Sequence, residues 1–120
     1  MANKKLSKIE YAVTQLGETE PAFSHPGFPN ETGEFLCICC SHKLFSSSSK
    51  FESGSGWPSF NSPFSKEAVA TEVDLSYGMR RTEVRCGNCE AHLGHVFEDG
   101  PDPTGLRFCI NGVALKFQPT

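Results

Sequence analysis

Two pairs of cysteines constrain the fold of this chain more than any other feature. Each pair has the spacing C-x-x-C, Cys37 with Cys40 and Cys86 with Cys89, and the 45 residues 41–85 separate them. Two tight turns that each offer two thiolates are typical of a tetrahedral tetrathiolate zinc site. Four protein ligands leave no open coordination position. The pattern therefore predicts one structural Zn²⁺ per chain, worth on the order of 10 kcal/mol to the folded state.

The residues alone leave other uses of these cysteines open. A redox pair of the thioredoxin type needs one C-x-x-C on a β-α-β unit, whereas this chain has two pairs and no such pattern. Four thiolates can also hold iron. The six cysteines could form three disulfides in a secreted domain, but no signal peptide is recognised, so we expect reduced thiols and cytoplasmic residence. A zinc deaminase needs His-x-Glu and a proline before C-x-x-C, and this sequence has neither.

Composition favours a mainly β fold with many turns. The 120 residues include 11 Gly, eight Pro and ten Phe, with few long helical patterns. We expect one domain over residues 1–120, made of a helix and wrapping loop (1–33) and a zinc-bound β core (34–120). The net charge of -3 gives no reason to expect nucleic acid or a membrane as partner, and nothing suggests a state other than a monomer.

A short amphipathic helix is predicted near the N-terminus. Ser7 can cap it, and Glu10 three residues later completes a capping box. Gly17 is a suitable stop. The apolar stripe of this helix would comprise Ile9, Val13 and Leu16. The stretch 18–32, rich in Pro and Gly with single aromatics, predicts an ordered loop.

Short strands are predicted for much of the remaining chain. Residues 34–37 lead into the first cysteine pair, and residues 68–75 and 79–85 form a hairpin. A strand is predicted over only Val96 and Phe97, with the preceding histidines on a turn or a strand end. A last strand over residues 113–117 closes the sheet. The serine-rich run 45–55 could be a flexible linker.

The stretch from Arg107 to Asn111 is interpreted as a strand with two different faces. Side chains alternate along a strand, so Phe108 and Ile110 point to the core, while Arg107, Cys109 and Asn111 point the other way. A cation and a carboxamide on either side of a thiol can stabilise a thiolate and its oxygen-bearing products. A functional Cys109 is the hypothesis. The alternative is a buried free cysteine without a function, and a polar face of this kind on an edge strand would need no chemistry.

Several other residues have the chemistry of a thiol-based active site. His92 and His95 could exchange protons, because the cysteines already satisfy the metal. The only tryptophan, Trp57, lies in a loop between Gly and Pro, where it could line a site or fill the edge of the core. No phosphate-binding glycine loop accompanies them. The candidate set comprises Trp57, His92, His95, Asp99, Arg107, Cys109 and Asn111.

These motifs together resemble the methionine-R-sulfoxide reductases of the B type. The matching segments follow the family order from residue 19 to residue 111 and so cover nearly the whole chain. They are Thr19-Glu20-Pro21-Ala22-Phe23, Cys37-x-x-Cys40, Leu44-Phe45, Ser53-Gly54-Ser55-Gly56-Trp57-Pro58-Ser59-Phe60, Cys86-Gly87-x-Cys89, His92-Leu93-Gly94-His95-Val96-Phe97-x-Asp99-Gly100-Pro101 and Arg107-Phe108-Cys109-Ile110-Asn111.

The resemblance implies a fold and a set of roles. The fold would be two antiparallel sheets, sometimes called a β-tent, with the zinc site away from catalysis. Cys109 would be the nucleophile, and Trp57 would hold the substrate methyl group and so select one sulfoxide epimer. We also assign Phe108 to substrate binding. The residues around the sulfoxide would be His92, His95, Asp99, Arg107 and Asn111.

The implied reaction is thiol-dependent reduction of protein-bound methionine (R)-sulfoxide in the repair of oxidative damage. The thiolate would attack the sulfoxide sulfur while His92 or His95 protonates the departing oxygen, leaving methionine and a Cys109 sulfenic acid. Arg107 would favour the thiolate by its charge. The main alternative is a zinc-stabilised binding module without catalysis. A purely structural zinc ribbon would not explain the polar face around Cys109.

One position departs from the family pattern. Many members carry a recycling cysteine where this chain has Ser55, so a disulfide from Cys109 to that loop is impossible. We expect thioredoxin or another small thiol reductant to attack the sulfenic acid directly. Recycling through Cys39, inside the first cysteine pair, is the alternative.

Overall fold

The computed structural model describes residues 6–120 and shows a mainly β fold. Within these residues nine strands form two antiparallel sheets, as expected, and a single α-helix, α1 (Lys8–Leu16), precedes them. The helix is nine residues long, so nothing in the described chain has the length of about 20 apolar residues that a membrane-spanning helix needs. The strands are β1 (Gly33–Cys37), β2 (Lys43–Ser46), β3 (Lys50–Phe51), β4 (Ser59–Phe60), β5 (Val69–Asp74), β6 (Arg81–Cys86), β7 (His92–Phe97), β8 (Arg107–Ile110) and β9 (Leu115–Pro119).

The smaller sheet has the order β2-β1-β9, and the larger sheet has the order β3-β4-β8-β7-β6-β5. The strand predicted over 113–117 is β9, which pairs with β1 in the smaller sheet. The strand that carries Cys109 is β8, which lies between β4 and β7 in the larger sheet. It is therefore an interior strand, and the edge position considered from the sequence is wrong.

The helix begins with the predicted capping box. The backbone N–H of Glu10 donates to Ser7 Oγ at 3.2 Å, and the N–H of Ser7 donates to Glu10 Oε1 at 2.9 Å. Gly17 ends the helix in the left-handed region with φ 75°. The predicted apolar stripe is only partly correct. The buried helix residues are Val13 and Thr14, whereas Ile9 is 42% exposed and Leu16 is 61% exposed.

The core lies between the two sheets and is built from aromatic rings. Phe45 of β2 stacks on Phe60 of β4 with ring centroids 4.3 Å apart, and Phe35 of β1 meets Phe60 edge-on at 5.0 Å. Phe108 and Ile110 of β8 also face this core and are buried, as the alternation along that strand predicts. The opposite face of β8 is thereby left for polar side chains.

The segment from His92 to Phe97 differs from its prediction. It is one continuous strand, β7, rather than a strand of two residues. His92 is its first residue, at a strand end as the sequence allowed, and His95 lies inside the strand. Gly94 in this strand is required by close packing, because a Cβ there would collide with the backbone carbonyl of Cys109 on β8. The run 45–55 is also ordered: β2, a 3₁₀ turn and β3 occupy most of it.

Candidate active site and metal centre

The four cysteines of the two pairs lie together at the ends of two hairpins. Their sulfur atoms are all within 4.8 Å of one another. Cys37 Sγ lies 3.7 Å from Cys89 Sγ, and Cys40 Sγ lies 3.6 Å from Cys86 Sγ. A tetrahedron with Zn–S bonds of about 2.3 Å requires sulfurs about 3.8 Å apart. The thiol set therefore fits a tetrathiolate metal ion, and these four cysteines could bind one.

The two turns that carry the ligands have matching backbones. In the first, the N–H of Ser41 donates to the carbonyl of Cys37 at 2.8 Å; in the second, the N–H of Glu90 donates to the carbonyl of Cys86 at 2.9 Å. Ser41 and Glu90 both adopt left-handed φ values, 67° and 65°. One local structure is thus used twice, which explains why the spacing alone identifies it.

Two thiols of the cluster, Cys37 and Cys86, have pKa values shifted in opposite directions. The pKa of Cys86 is lowered to about 4, chiefly by a hydrogen bond from Cys37, whose own pKa is raised far above its usual range by the same bond and by burial. Metal coordination would require all four as thiolates.

A separate cavity of about 250 Å³ opens beside Cys109. None of the four cluster cysteines lines it. Cys109 faces His95 directly across the β7–β8 pair, because the two residues are register partners. The cavity is lined by Thr19, Ser55, Trp57, Arg81, Gly94, His95, Phe97, Arg107, Cys109 and Asn111.

The Cys109 thiol is half-buried, and burial raises its pKa above the ordinary value. The charge of Arg107 and the hydroxyl of Ser55 oppose that rise, while the carboxylate of Glu20 adds to it. The expected influence of Arg107 is present, but burial outweighs it. Cys109 is therefore a thiol at neutral pH when the cavity is empty.

Arg107 is held in place from two sides. Its Nε donates to Asp99 Oδ1 at 2.9 Å and its Nη2 donates to Asp99 Oδ2 at 3.2 Å, which lowers the pKa of Asp99 and raises that of Arg107. The guanidinium lies over the ring of Phe97 at 4.5 Å. Asp99 does not line the cavity and has a side chain that is 65% exposed. Its contact with the site runs through Arg107.

The two histidines have different positions relative to the cavity. His95 lines it, with Nε2 2.7 Å from Asp74 Oδ2. His92 does not line it; its Nδ1 lies 2.6 Å from Glu83 Oε2, and its Nε2 is buried with no hydrogen-bond partner among the described residues. Burial lowers the pKa of His95, and the hydrogen bond to Asp74 only partly offsets that effect.

Trp57 and Asn111 are joined by the backbone of Glu20. The indole N–H of Trp57 donates to the carbonyl of Glu20 at 2.9 Å, and the N–H of Glu20 donates to Asn111 Oδ1 at 2.9 Å. Asn111 also donates through Nδ2 to the carbonyl of Leu93 at 2.9 Å. The Asn111 amide thus braces the walls of the cavity, and Trp57 forms part of its lining.

The loop before Trp57 brings three serine hydroxyls together. Ser53 Oγ lies 2.8 Å from Ser55 Oγ and 2.7 Å from Ser59 Oγ, and Ser59 is the register partner of Cys109 on β4. Gly56 in this loop has φ 92°, and a Cβ there would meet the ring of Phe23. A glycine next to Trp57 thus permits the close approach of the wrapping loop.

Phe108 is the one candidate that points away from the site. It is 5% exposed and lies in the core, with its ring centroid 5.9 Å from that of Phe45. The alternation of side chains along β8 accounts for this, since Phe108 and Cys109 must face opposite sides of the sheet. Phe108 does not line the cavity.

Sequence reasoning missed several residues of the site. Glu20 was quoted only as part of a motif, and Ser55 only as the replacement of a cysteine. The carboxylates that bond to the histidines had no signal of their own, because their partners lie on other strands. Only the register of three neighbouring strands could have identified them. The missed residues are Thr19, Glu20, Ser55, Asp74, Arg81 and Glu83.

Comparison with known proteins gives consistent matches over nearly the whole chain. The family model described as the SelR domain matches residues 6–119. The peptide methionine sulfoxide reductase MsrB of Thioalkalivibrio sulfidiphilus (strain HL-EbGR7) is 55% identical over 116 residues, which is 96% of this chain and 85% of that protein. The protein of the same name from Escherichia coli O45:K1 (strain S88 / ExPEC) is 50% identical over 115 residues, 95% of this chain and 84% of that protein.

Proposed function

We propose that this chain, which belongs to the SelR-domain family of MsrB reductases, carries out its reaction with Cys109 as the nucleophile and His95 as the proton carrier. The chain is a peptide methionine sulfoxide reductase: it reduces methionine sulfoxide in oxidised proteins or peptides to methionine at the expense of a thiol reductant. The observation that supports the assignment of residues is that Cys109 and His95 are register partners on the walls of one cavity.

The proposed chemistry begins with attack of the Cys109 sulfur on the sulfoxide sulfur. His95 lines the cavity and His92 does not, so His95 is the better candidate to protonate the departing oxygen. The products are methionine and a Cys109 sulfenic acid. Arg107, fixed by Asp99 and Phe97, supplies positive charge next to the sulfur that must become a thiolate.

Trp57 is proposed to select the R epimer of the sulfoxide. Its indole is fixed by the bond to the carbonyl of Glu20, and a rigid aromatic wall holds an S-methyl group by apolar contact. With the sulfur facing Cys109 and the methyl group on Trp57, only one of the two epimers can direct its oxygen to His95. Asn111 keeps these walls in place through its bonds to Glu20 and Leu93.

Direct attack by thioredoxin or a similar thiol on the sulfenic acid is the proposed recycling route. Ser55 lines the cavity at the position where many relatives of this type carry a cysteine, so no thiol stands there. Cys39 is 5% exposed on the first metal-binding turn, with its Sγ 3.5 Å from Gln15 Nε2. A bond between Cys39 and Cys109 would require that turn to open.

Mass spectrometry after one turnover without reductant tests the recycling route. Trapping the sulfenic acid on Cys109 supports direct attack, whereas a peptide containing a Cys39–Cys109 disulfide refutes it. Ser55→Cys is the matched positive control, because a cysteine in that loop should form the disulfide that the native chain cannot form.

The metal proposed for the four-cysteine cluster is Zn²⁺, one per chain. When bound it would supply closed tetrathiolate coordination and therefore stability, not a reactive ligand position. Cys37, Cys40, Cys86 and Cys89 would hold it. A monomeric, cytoplasmic enzyme formed by one domain is proposed together with these roles.

Turnover of a peptide carrying separated R and S sulfoxides of methionine, with dithiothreitol as reductant, tests the assignment. Wild type should reduce the R epimer alone, and Cys109→Ser should abolish turnover while the fold is retained. Retained activity in Cys109→Ser would refute the role of Cys109. Binding of the sulfoxide peptide by a folded wild type that turns over neither epimer would favour the non-catalytic binding module, which the family membership does not favour.

A further inference from the structure

The polar face of the larger sheet carries rows of side chains that cross four strands. Cys109 on β8 is the register partner of His95 on β7, His95 is that of Glu83 on β6, and Glu83 is that of Glu72 on β5. Residues directly opposite one another on neighbouring strands share a face of the sheet. The site around Cys109 is therefore continuous with charged residues as far as the edge strand.

Two carboxylate–imidazole pairs lie within this face. Glu83 Oε2 is 2.6 Å from His92 Nδ1, and Asp74 Oδ2 is 2.7 Å from His95 Nε2. Because only His95 lines the cavity, only the second pair connects the edge strand to Cys109. The Asp74 side chain contacts the His95 imidazole and does not line the cavity, so it can act on the reaction only through His95.

Asp74 is itself fixed at the end of β5. Its Oδ1 accepts the backbone N–H of Ser76 at 2.9 Å in the hairpin turn, and Arg81 Nη2 lies 3.5 Å from its Oδ2. The hydrogen bond from His95 and that from Ser76 hold the pKa of Asp74 well below its usual range. An ionised carboxylate only accepts hydrogen bonds, so Nε2 of His95 must carry a proton.

The remaining ring nitrogen of His95 has no hydrogen-bond partner within residues 6–120. In neutral imidazole one nitrogen donates and the other accepts, so a proton on Nε2 leaves the lone pair on Nδ1. Burial lowers the pKa of His95, which keeps the ring neutral around pH 7. Nδ1 is then the ring nitrogen that can accept a proton, on the residue that is the register partner of Cys109.

We propose that Asp74 is a positioning residue that fixes His95 in the tautomer with Nδ1 unprotonated, so that one imidazole both accepts the Cys109 proton and returns it to the sulfoxide oxygen. This inference rests on the roles proposed above for Cys109 and His95. The substrate S–O bond breaks and a Cys109 S–O bond forms, so the substrate sulfur is reduced and the cysteine sulfur is oxidised. The thiol proton ends on the transferred oxygen, and no other oxidant or proton source is needed.

The substitution Asp74→Asn tests this role directly. The amide oxygen can keep the bond from the Ser76 N–H, which turns the NH₂ group toward His95 Nε2. That nitrogen must then accept, so the proton moves to Nδ1 and the ring can no longer receive the thiol proton there. We expect kcat for the R epimer to fall about 10²-fold with little change in KM.

The pH profile supplies a second readout of the same variant. The groups that face His95 are Asp74, Arg81, Glu83, His92, Arg107 and Cys109, drawn from all four strands of this part of the sheet. Asp74 raises the pKa of His95, whereas burial, Arg81 and His92 lower it. Loss of the Asp74 charge lowers this pKa further, so the acidic limb of the kcat profile should move to lower pH.

The matched control is Glu72→Gln, which makes the same chemical change on the same face of β5. Glu72 is exposed and pairs with Arg85, remote from the cavity, so its kcat should stay within about twofold of wild type.

Nitrogen NMR of the histidine rings decides the tautomer without relying on turnover. A protonated Nδ1 in neutral wild-type His95, or an Asp74→Asn variant with unchanged tautomer and unchanged kcat, would overturn the inference. If wild type reduces no sulfoxide at all, the proposed function fails, and the NMR spectrum still tests the placement by Asp74. If Asp74→Asn does not fold, the wild-type spectrum alone still shows which ring nitrogen of His95 carries the proton.

Discussion

The two sulfur sites of this molecule are built in different ways. The four-cysteine cluster uses one local turn twice, at residues 37–42 and 86–91, and all its ligands come from those two turns. The site around Cys109 instead gathers single side chains from the wrapping loop, the Trp57 loop and strands β6, β7 and β8. The first is defined by spacing along the chain, and the second by register across a sheet. Loss of a residue should therefore affect stability at one site and catalysis at the other.

The largest effect expected is on stability, from Cys86→Ser. Removal of one ligand weakens metal binding whose apparent free energy is on the order of 10 kcal/mol, comparable to the whole free energy of unfolding of a small domain. The variant should lose metal and most of its cooperative thermal transition, as followed by circular dichroism and metal content. Cys39→Ser, which changes a non-ligand in the same turn, should keep both. If Cys86→Ser stays folded without metal, the four-cysteine cluster does not stabilise the fold, and the proposed difference between the two sites is wrong.

Cys109→Ser should show the opposite behaviour. The substitution replaces sulfur by oxygen in a half-buried position without creating a cavity, so the thermal midpoint should change little. Single-turnover reduction should nevertheless become undetectable, because a hydroxyl cannot replace the thiolate as nucleophile. Calorimetry on the same sample measures the thermal midpoint, which is then compared with the single-turnover activity. A large drop in midpoint would mean that the two sites are structurally coupled.

The two histidines differ in their positions relative to the cavity beside Cys109, and substitutions of each test the proposed catalytic set. His95→Asn should lower kcat by about 10²- to 10⁴-fold, the usual contribution of a proton-transfer group. His92→Asn should lower it by about tenfold at most, because His92 does not line the cavity and acts on the same face only through packing and Glu83. Stopped-flow measurement of both variants tests this order. An equal fall in kcat for both variants would show that a residue can be needed for catalysis without lining the cavity.

The smallest effect expected concerns the thiol itself. Arg107 lowers the pKa of Cys109, and burial raises it more strongly, so Arg107→Met should raise this pKa further. The pH at which alkylation by iodoacetamide reaches half its maximal rate should then move upward. Arg80→Met, at an exposed position, is the charge-matched control. A downward shift for Arg107→Met would mean that the guanidinium does not act on the thiolate by its charge.

The contrast also explains what could be predicted from the sequence. The cluster, the helix cap at Ser7 and the two faces of β8 follow from local spacing and alternation, and they were predicted correctly. The assignment of Asp74 and Glu83 to the histidines could not be, because both partnerships depend on the order of strands in the larger sheet.

Two further differences have the same origin. The full length of β7 could not be predicted, since nothing local indicates that β8 packs against Gly94. The raised pKa of Cys109 depends chiefly on burial of the thiol, and neighbours along the chain do not show burial. The charge of Arg107 next to Cys109 could therefore be predicted from the sequence. Whether burial outweighs that charge in setting the pKa of Cys109 could be seen only in the tertiary structure.

The pairing of β1 with β9 has a consequence for the order of events during synthesis. These are the first and last strands of the described chain, joined in register from Gly33 with Pro119 to Cys37 with Leu115. Closing so long a loop costs entropy that is recovered only when the final contacts form. The sheet that carries Cys37 therefore cannot be completed until the chain has been synthesised as far as β9, long after β1 itself has been made. Until then β1 has only β2 as a partner in the smaller sheet, so its other edge stays unpaired and open to pairing with other chains.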